Sequence, residues 1–205
     1  MTATALNAFG LAGDQAVRVA DLLAAASNSS MGEITDMGFA MSQSASIFAA
    51  AGVSVEDLTA SIAMLANKGI LGSDAGTSLK AMLMALQTEA DGTQKLFTQL
   101  GVTAYDANGA MKDYREIITE VSGAVKPLNP AQRDQALAAI FGSDAARAAN
   151  IIFGQGVEAF DASRAAVTRQ GAAADVAAAK AKGLSGAWEA FKSSAESMAI
   201  TMYGN

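Results

Sequence analysis

The stretch GVSVEDLTASIAMLANKGILGSDAGTSLKAML, residues 52–83, decides the fold because it contains two helices and the joint between them. Ser54 is a favourable helix N-cap, and Asp57 follows three residues later, as in a short capping box. Val53 and Leu58 occupy the positions of a hydrophobic staple around this cap. The spacing predicts a helix over 54–68, with one apolar face formed by Val55, Leu58, Ile62 and Leu65.

The second half of this stretch predicts a tight turn and a second helix. Gly69 stands where a left-handed residue commonly ends a helix, and Ile70 supplies the apolar residue that follows it. A helical period resumes over 74–90 with Leu79, Met82, Leu83 and Leu86. Gly72 and Gly76 lack the spacing and the lysine of a phosphate-binding loop, so we interpret Gly76 as permitting close helix approach.

The remaining sequence predicts a mainly α fold. The one expected β element is a small hairpin over about 102–112, whose turn is Asp106-Ala107-Asn108-Gly109. Gly142 is expected to break a helix that begins at the Asn129-Pro130 pair. The other predicted helices are 14–27 with Asp14 as cap, 30–51 with a Ser30–Glu33 capping box, about 93–100, and one capped by Asp113 and Glu116.

Composition excludes several kinds of chemistry. The 205 residues contain no Cys and no His, so neither disulfides nor Ser-His and Cys-His nucleophiles can form. Charged residues are only 17% of the chain, and the net charge is −6. The sequence has no basic cluster, so we do not expect a nucleic-acid-binding surface. The carboxylate pairs Glu56–Asp57 and Asp113–Glu116 fall in first helical turns, where negative charge suits the helix dipole. We therefore expect no catalytic residues, no cofactor and no metal, and we interpret the Asp106 segment as a turn rather than a calcium loop.

The last part of the chain predicts a long helix with a coiled-coil period. Apolar residues recur at alternating spacings of four and three from Ala177 onward, which is the 3.5-residue period of a heptad seam. The chain thus divides into a compact helical domain at 1–155 and an extended helical rod at 156–205. The alternative is that this seam packs back onto the compact domain. The predicted oligomer or partner interface, here called the heptad seam, comprises Ala181, Leu184, Trp188, Phe191, Ala195, Met198 and Met202.

Five ordered segments resemble the core region of phage tail tape measure proteins of the large lactococcal-phage-like family. They are Gly52–Asp57, Leu65–Ile70, Gly72–Leu83, LGVTAYDANGAMKDYREII at 100–118, and QALAAIFGSDAARAANII at 135–152. The resemblance covers roughly residues 5 to 200. Because proteins of that family are usually much longer, we expect this sequence to be a segment of a longer chain.

The resemblance implies a structural virion protein that sets tail length, scaffolds tube assembly in the tail lumen and assists genome ejection. It implies assembly in the host cytoplasm and a final place in the tail lumen or tail tip. The implied partners are further copies of the chain as a parallel trimer, the tail tube protein, tail tip or distal tail proteins, assembly chaperones, and the host membrane during ejection. Low charge and abundant Ala, Gly and Met leave one alternative, a membrane-active module for pore formation or translocation.

Overall fold

The computed structural model describes residues 1–87, 97, 100–183 and 185. The described residues are mainly helical, which confirms the predicted α class. Residues 172–183 are also helical. The elements are α1 (Thr2–Ala8), a 3-10 turn (Gly13–Gln15), α2 (Ala16–Asn28), α3 (Ile34–Ala50), α4 (Val55–Ala66), α5 (Gly72–Gln87), α6 (Tyr114–Val125), α7 (Pro130–Gln155) and α8 (Val157–Val167).

Helix α4 lies at the centre of the fold, and all of its residues are buried. It contacts α2, α3, α5, α7 and α8, so it has no solvent-facing side. Its small hydroxyl residues bond within the helix: Thr59 Oγ1 donates to Val55 O at 2.7 Å, and Ser61 Oγ donates to Asp57 O at 2.9 Å. These bonds allow polar side chains to be buried without the cost of an unsatisfied hydroxyl.

The end of α4 confirms the predicted glycine turn. Gly69 has φ +78°, the left-handed conformation that a residue without Cβ adopts readily. Its amide donates to Ala66 O at 3.0 Å, and the Ile70 amide donates to Leu65 O at 3.1 Å. These two bonds form a Schellman motif, and the buried Ile70 supplies its apolar contact.

Two aromatic clusters join parts of the chain that are distant in sequence. Tyr114 of α6 lies between Phe48 of α3 and Phe160 of α8, with 5.7 Å between ring centroids in both edge-to-face pairs. Burial raises the pKa of Tyr114 far above its ordinary value, and its hydroxyl lies 3.2 Å from Ser61 Oγ of α4. The second cluster consists of Phe97, Phe141 and Phe153.

Several helix starts follow the sequence, and two differ from it. Asp113 accepts from the amides of Arg115 and Glu116, and Asn129 forms a capping box with Gln132, as N-caps at these positions should. The predicted Ser30–Glu33 box is wrong, because α3 begins at Ile34 and the box forms between Glu33 and Asp36. Asp14 does not cap a helix either, because it lies inside the 3-10 turn and makes no capping hydrogen bond.

The predicted β-hairpin at 102–112 is present only as one antiparallel bridge, between Tyr105 and Met111. No strand is assigned within 100–113. The Asp106 carboxylate accepts from the amides of Asn108 and Ala110 at 2.8 and 2.9 Å. The Asp106 side chain thus accepts hydrogen bonds from amides of the turn. Helix α6 begins at Tyr114, which leaves little room for a longer β-ladder.

Helix packing continues beyond the domain boundary predicted at 155. Gly142, with φ +74°, interrupts α7 as expected, and Gly156, with φ +88°, separates α7 from α8. Helix α8 then packs on α4, and its Phe160 and Val167 belong to the main core cluster. The packed body therefore reaches Val167.

The close approach predicted at Gly76 is confirmed by the contact between α3 and α5. A Cβ at position 76 would overlap the Ala40 carbonyl oxygen and lie 2.8 Å from Gln43 Cβ and 2.9 Å from Ala40 Cα. Two of these obstacles are backbone atoms, which cannot move without shifting a helix. Glycine therefore sets the distance between these two helices.

We predict that Gly76→Ala lowers the free energy of unfolding by about 1–3 kcal/mol, because the added methyl forces α3 and α5 apart. Gly123→Ala is the matched control, since a Cβ there meets nothing within 4 Å in helix α6. The control should be neutral or stabilising by up to about 1 kcal/mol through helix propensity. Urea unfolding of both variants measures the difference, and equal stabilities would contradict the packing assigned to Gly76.

Candidate interaction surface

The carboxylate pair Glu56–Asp57 has a structural role. Both residues lie in the first turn of α4 and are only 8% and 9% exposed. Glu56 forms an ion pair with Arg18 of α2, and Asp57 Oδ1 accepts from Arg164 Nε of α8 at 2.5 Å. The second oxygen of Asp57 accepts from the Ser54 hydroxyl at 2.6 Å. Because an arginine neutralises each carboxylate, neither is available as a free general base.

The other candidates for chemistry are also accounted for by local structure. Backbone hydrogen bonds from Ala110 and Asn108 hold the pKa of Asp106 below its ordinary value, which is the behaviour of a turn carboxylate. Within the part of the chain that the structure describes, no group of three or more Asp, Glu, His or Cys residues could hold a metal ion.

A pair of hydrogen bonds, here called the tether, fixes the start of the last described helix. Gly171, with φ +80°, precedes the helical residues 172–183. The Asp21 carboxylate of α2 accepts from the Gly171 amide at 3.0 Å and from the Ala173 amide at 2.9 Å. A carboxylate at this position caps the free amides of the helix and suits the positive end of its dipole.

A small apolar contact supports the same joint. Ala172 is fully buried against Ala24 and Ala25 of α2. Ala173 and Val176 pack at the edge of this cluster, beside Ile34. From 177 to 183 every residue is exposed. The segment is therefore held by its first turn, and none of its residues 177–183 is buried.

The heptad seam begins on this exposed segment. Ala181 is exposed and helical, as is Ala177 one turn earlier. Exposure alone does not single out the seam, because its neighbours on other faces are exposed too. The other predicted seam residues lie outside the described residues: Leu184, Trp188, Phe191, Ala195, Met198 and Met202.

The tether and the arginine partners were not predicted from the sequence. Asp21 lies 150 residues from Gly171, and Arg164 lies 107 residues from Asp57. The residues that hold these elements together are single charges on helix surfaces, which carry no local pattern. The one available signal was the pair of acids at the start of α4, since buried carboxylates require partners.

The fold and this surface define a class of protein: a helical module with no metal-holding cluster in its described residues and a tethered helix at its edge. The family model for phage-related minor tail proteins matches residues 1–142. The chain belongs to the phage-related minor tail protein family, and its role is that of a structural component of a phage tail.

Two curated relatives extend this result. The chain is 34% identical to the tape measure protein of Pneumococcus phage Dp-1 over 199 residues, which is 97% of this chain and 17% of that protein. It is 29% identical to the probable tape measure protein of Escherichia phage P2 over 148 residues, 71% of this chain and 18% of that one. The resemblance to tape measure proteins is confirmed, and the chain spans less than a fifth of either relative. No solved structure matches the chain.

We predict that Asp21→Ala loosens the tethered helix without unfolding the body. Loss of this cap should cost the segment about 1 kcal/mol and speed amide exchange over 172–183 about fivefold. Asp21→Asn, which retains a side-chain oxygen, should restore much of the protection. Asp14→Ala is the control, since Asp14 makes no capping bond. Hydrogen exchange followed by mass spectrometry reports the result, and unchanged exchange in Asp21→Ala would disprove the tether.

Proposed function

We propose that this chain is a module of a tape measure protein, which sets the length of the phage tail from within its lumen. The observation that carries the proposal is its similarity to a tape measure protein along 97% of its length. The tethered helix supports it further. A helix advances about 1.5 Å per residue, so a protein whose helices lie along the tube converts residue number into length.

In this proposal the packed body and the tethered helix have different tasks. The body, up to Val167, is a folded unit in which most of the buried apolar residues described form one main cluster. The helical residues 172–183 follow that body, with their start fixed by Asp21. The proposed partners during assembly in the host cytoplasm are tube subunits, tail tip or distal tail proteins, and assembly chaperones. The proposed role is structural rather than enzymatic.

The proposed partner of the heptad seam is the same seam in other copies of the chain. A helix that presents Leu184, Trp188 and Phe191 along one edge exposes a large apolar area unless it is covered. Three parallel copies would cover it through knobs-into-holes packing. Ala177 and Ala181 at the start of the seam are exposed, as this arrangement requires.

Membrane activity remains the second candidate, and one observation favours it. Helix α7, Pro130–Gln155, is long and apolar enough to cross a membrane by length and composition. Half of the relevant window is buried in the fold, and Gly142 interrupts the helix near its middle. Neither half reaches the roughly 20 residues that a crossing needs. We therefore propose contact with the host membrane only as a later step, during genome ejection.

The proposal predicts that tail length depends on the tethered helix. Four heptads, about 28 residues, inserted after Lys182 in the intact phage protein preserve the seam and should lengthen the tail by about 42 Å. The matched control is an insertion of equal length between Ala107 and Asn108, in the exposed turn of the body, which should leave the length unchanged. Cryo-electron microscopy of purified tails measures both, and tails of equal length in the two variants would refute the ruler role.

The seam predicts a specific oligomer. Sedimentation equilibrium of the 205-residue chain should give three times the mass of one chain. Replacing Trp188 and Phe191 together by Glu should produce a monomer, because two charges cannot be buried in the packed seam. Lys182→Glu, a change of charge beside the seam, should leave the trimer intact. A wild-type chain that is monomeric at all concentrations would refute self-association.

A further inference from the structure

A cavity of about 350 Å³ lies where the ends of α6 and α7 meet the start of α8. None of its lining residues belongs to the tether between Asp21 and Gly171. The residues that line it and could contact a ligand are Ser122, Lys126, Arg133, Gly154, Val157 and Glu158.

Arg133 is the most unusual residue of this cavity. All six arginines of the chain fall within the described residues, and five have a carboxylate partner: Arg18, Arg115, Arg147, Arg164 and Arg169. Arg133 has none among the residues described. Its Nε is buried without a hydrogen-bond partner, and its guanidinium lies against Gly154. A buried guanidinium donor without an acceptor is costly, so an acceptor at this position would stabilise it.

A second unpaired donor lines the same cavity. The described residues include three buried side-chain atoms without a partner, and two of them, Arg133 Nε and Ser122 Oγ, belong to residues of this cavity. By contrast, Thr119 of the same helix donates its hydroxyl hydrogen to the Arg115 carbonyl oxygen, with an oxygen–oxygen distance of 2.8 Å. Ser122 makes no such bond and keeps its hydroxyl free.

The charge at the cavity comes from three sources. Lys126 and Arg133 are cationic, and Glu158 is the one carboxylate among the lining residues. Helix α8 starts here at Val157, and its N-cap, Gly156, provides no side chain to cap the first amides. These amides and the positive end of the helix dipole add to the attraction for a negative group.

We propose that this cavity binds a single oxyanion group, a carboxylate or a phosphate. One oxyanion could accept from Arg133 Nε and from the Ser122 hydroxyl together, which would satisfy both buried donors. Charge-assisted hydrogen bonds of this kind are the strong ones, and arginine suits carboxylates and phosphates in particular. Glu158 opposes the anion, so its charge limits the affinity.

The experiment is an NMR titration of the 205-residue chain with sodium phosphate and, separately, sodium acetate, at an ionic strength held constant with sodium chloride. Saturable amide shifts should be confined to 122–126, 133 and 154–159. Saturation with both anions indicates general oxyanion recognition, and saturation with one identifies the preferred group. The absence of saturable shifts with either anion would overturn the proposal.

Three variants test whether Arg133 binds the anion or only stabilises the fold. Arg133→Gln should weaken binding at least about tenfold. The control Arg169→Gln removes an exposed arginine outside the cavity and should bind like the wild type. Glu158→Gln should tighten binding about threefold, since it removes a like charge. Because this last effect is a gain, it remains decisive even if Arg133→Gln fails to fold, and unchanged or weaker binding in Glu158→Gln would contradict the site.

Discussion

The burial of helix α4 on every side is the constraint on which the rest of the structure depends. A helix without a solvent-facing side must satisfy its polar groups inside the protein. Two carboxylates in its first turn meet this requirement through arginines from α2 and α8, which arrive from opposite ends of the sequence. Removing either arginine would leave a largely buried carboxylate without a charged partner, which is destabilising. The ion pairs at the start of α4 therefore help to hold α2 and α8 in place.

Helix α2 connects these ion pairs to the tethered helix. Helix α2 carries Arg18 toward α4 on one side and Asp21 toward the tethered helix, less than one turn further along. The same helix therefore joins the core to the start of the tethered helix. In a tail protein, such a joint would pass the orientation of a folded unit on to the helical segment that follows.

Local signals in the sequence predicted the parts of the fold that local chemistry determines. Ser54, Gly69, Asp113 and Asn129 act within one helical turn of themselves, and each was placed correctly. The Ser30 cap was misplaced by three residues, because the capping box forms between Glu33 and Asp36 instead. The strands expected beside Asp106 did not form, since its side chain takes the turn amides. Contacts such as that between Asp21 and Gly171 depend on the assembled fold, and no periodic pattern in the sequence predicts them.

The most direct test of this account is native-state hydrogen exchange of helix α4, measured residue by residue by NMR. If α4 is the element on which the fold depends, its amides exchange only through global unfolding, and their opening free energy equals the value from urea unfolding. The exposed residues 177–183 should open at a far lower free energy in the same sample. Amides of α4 that open well below the global value, in the range of the terminal helix α1, would contradict the claim that the protein is organised around this helix.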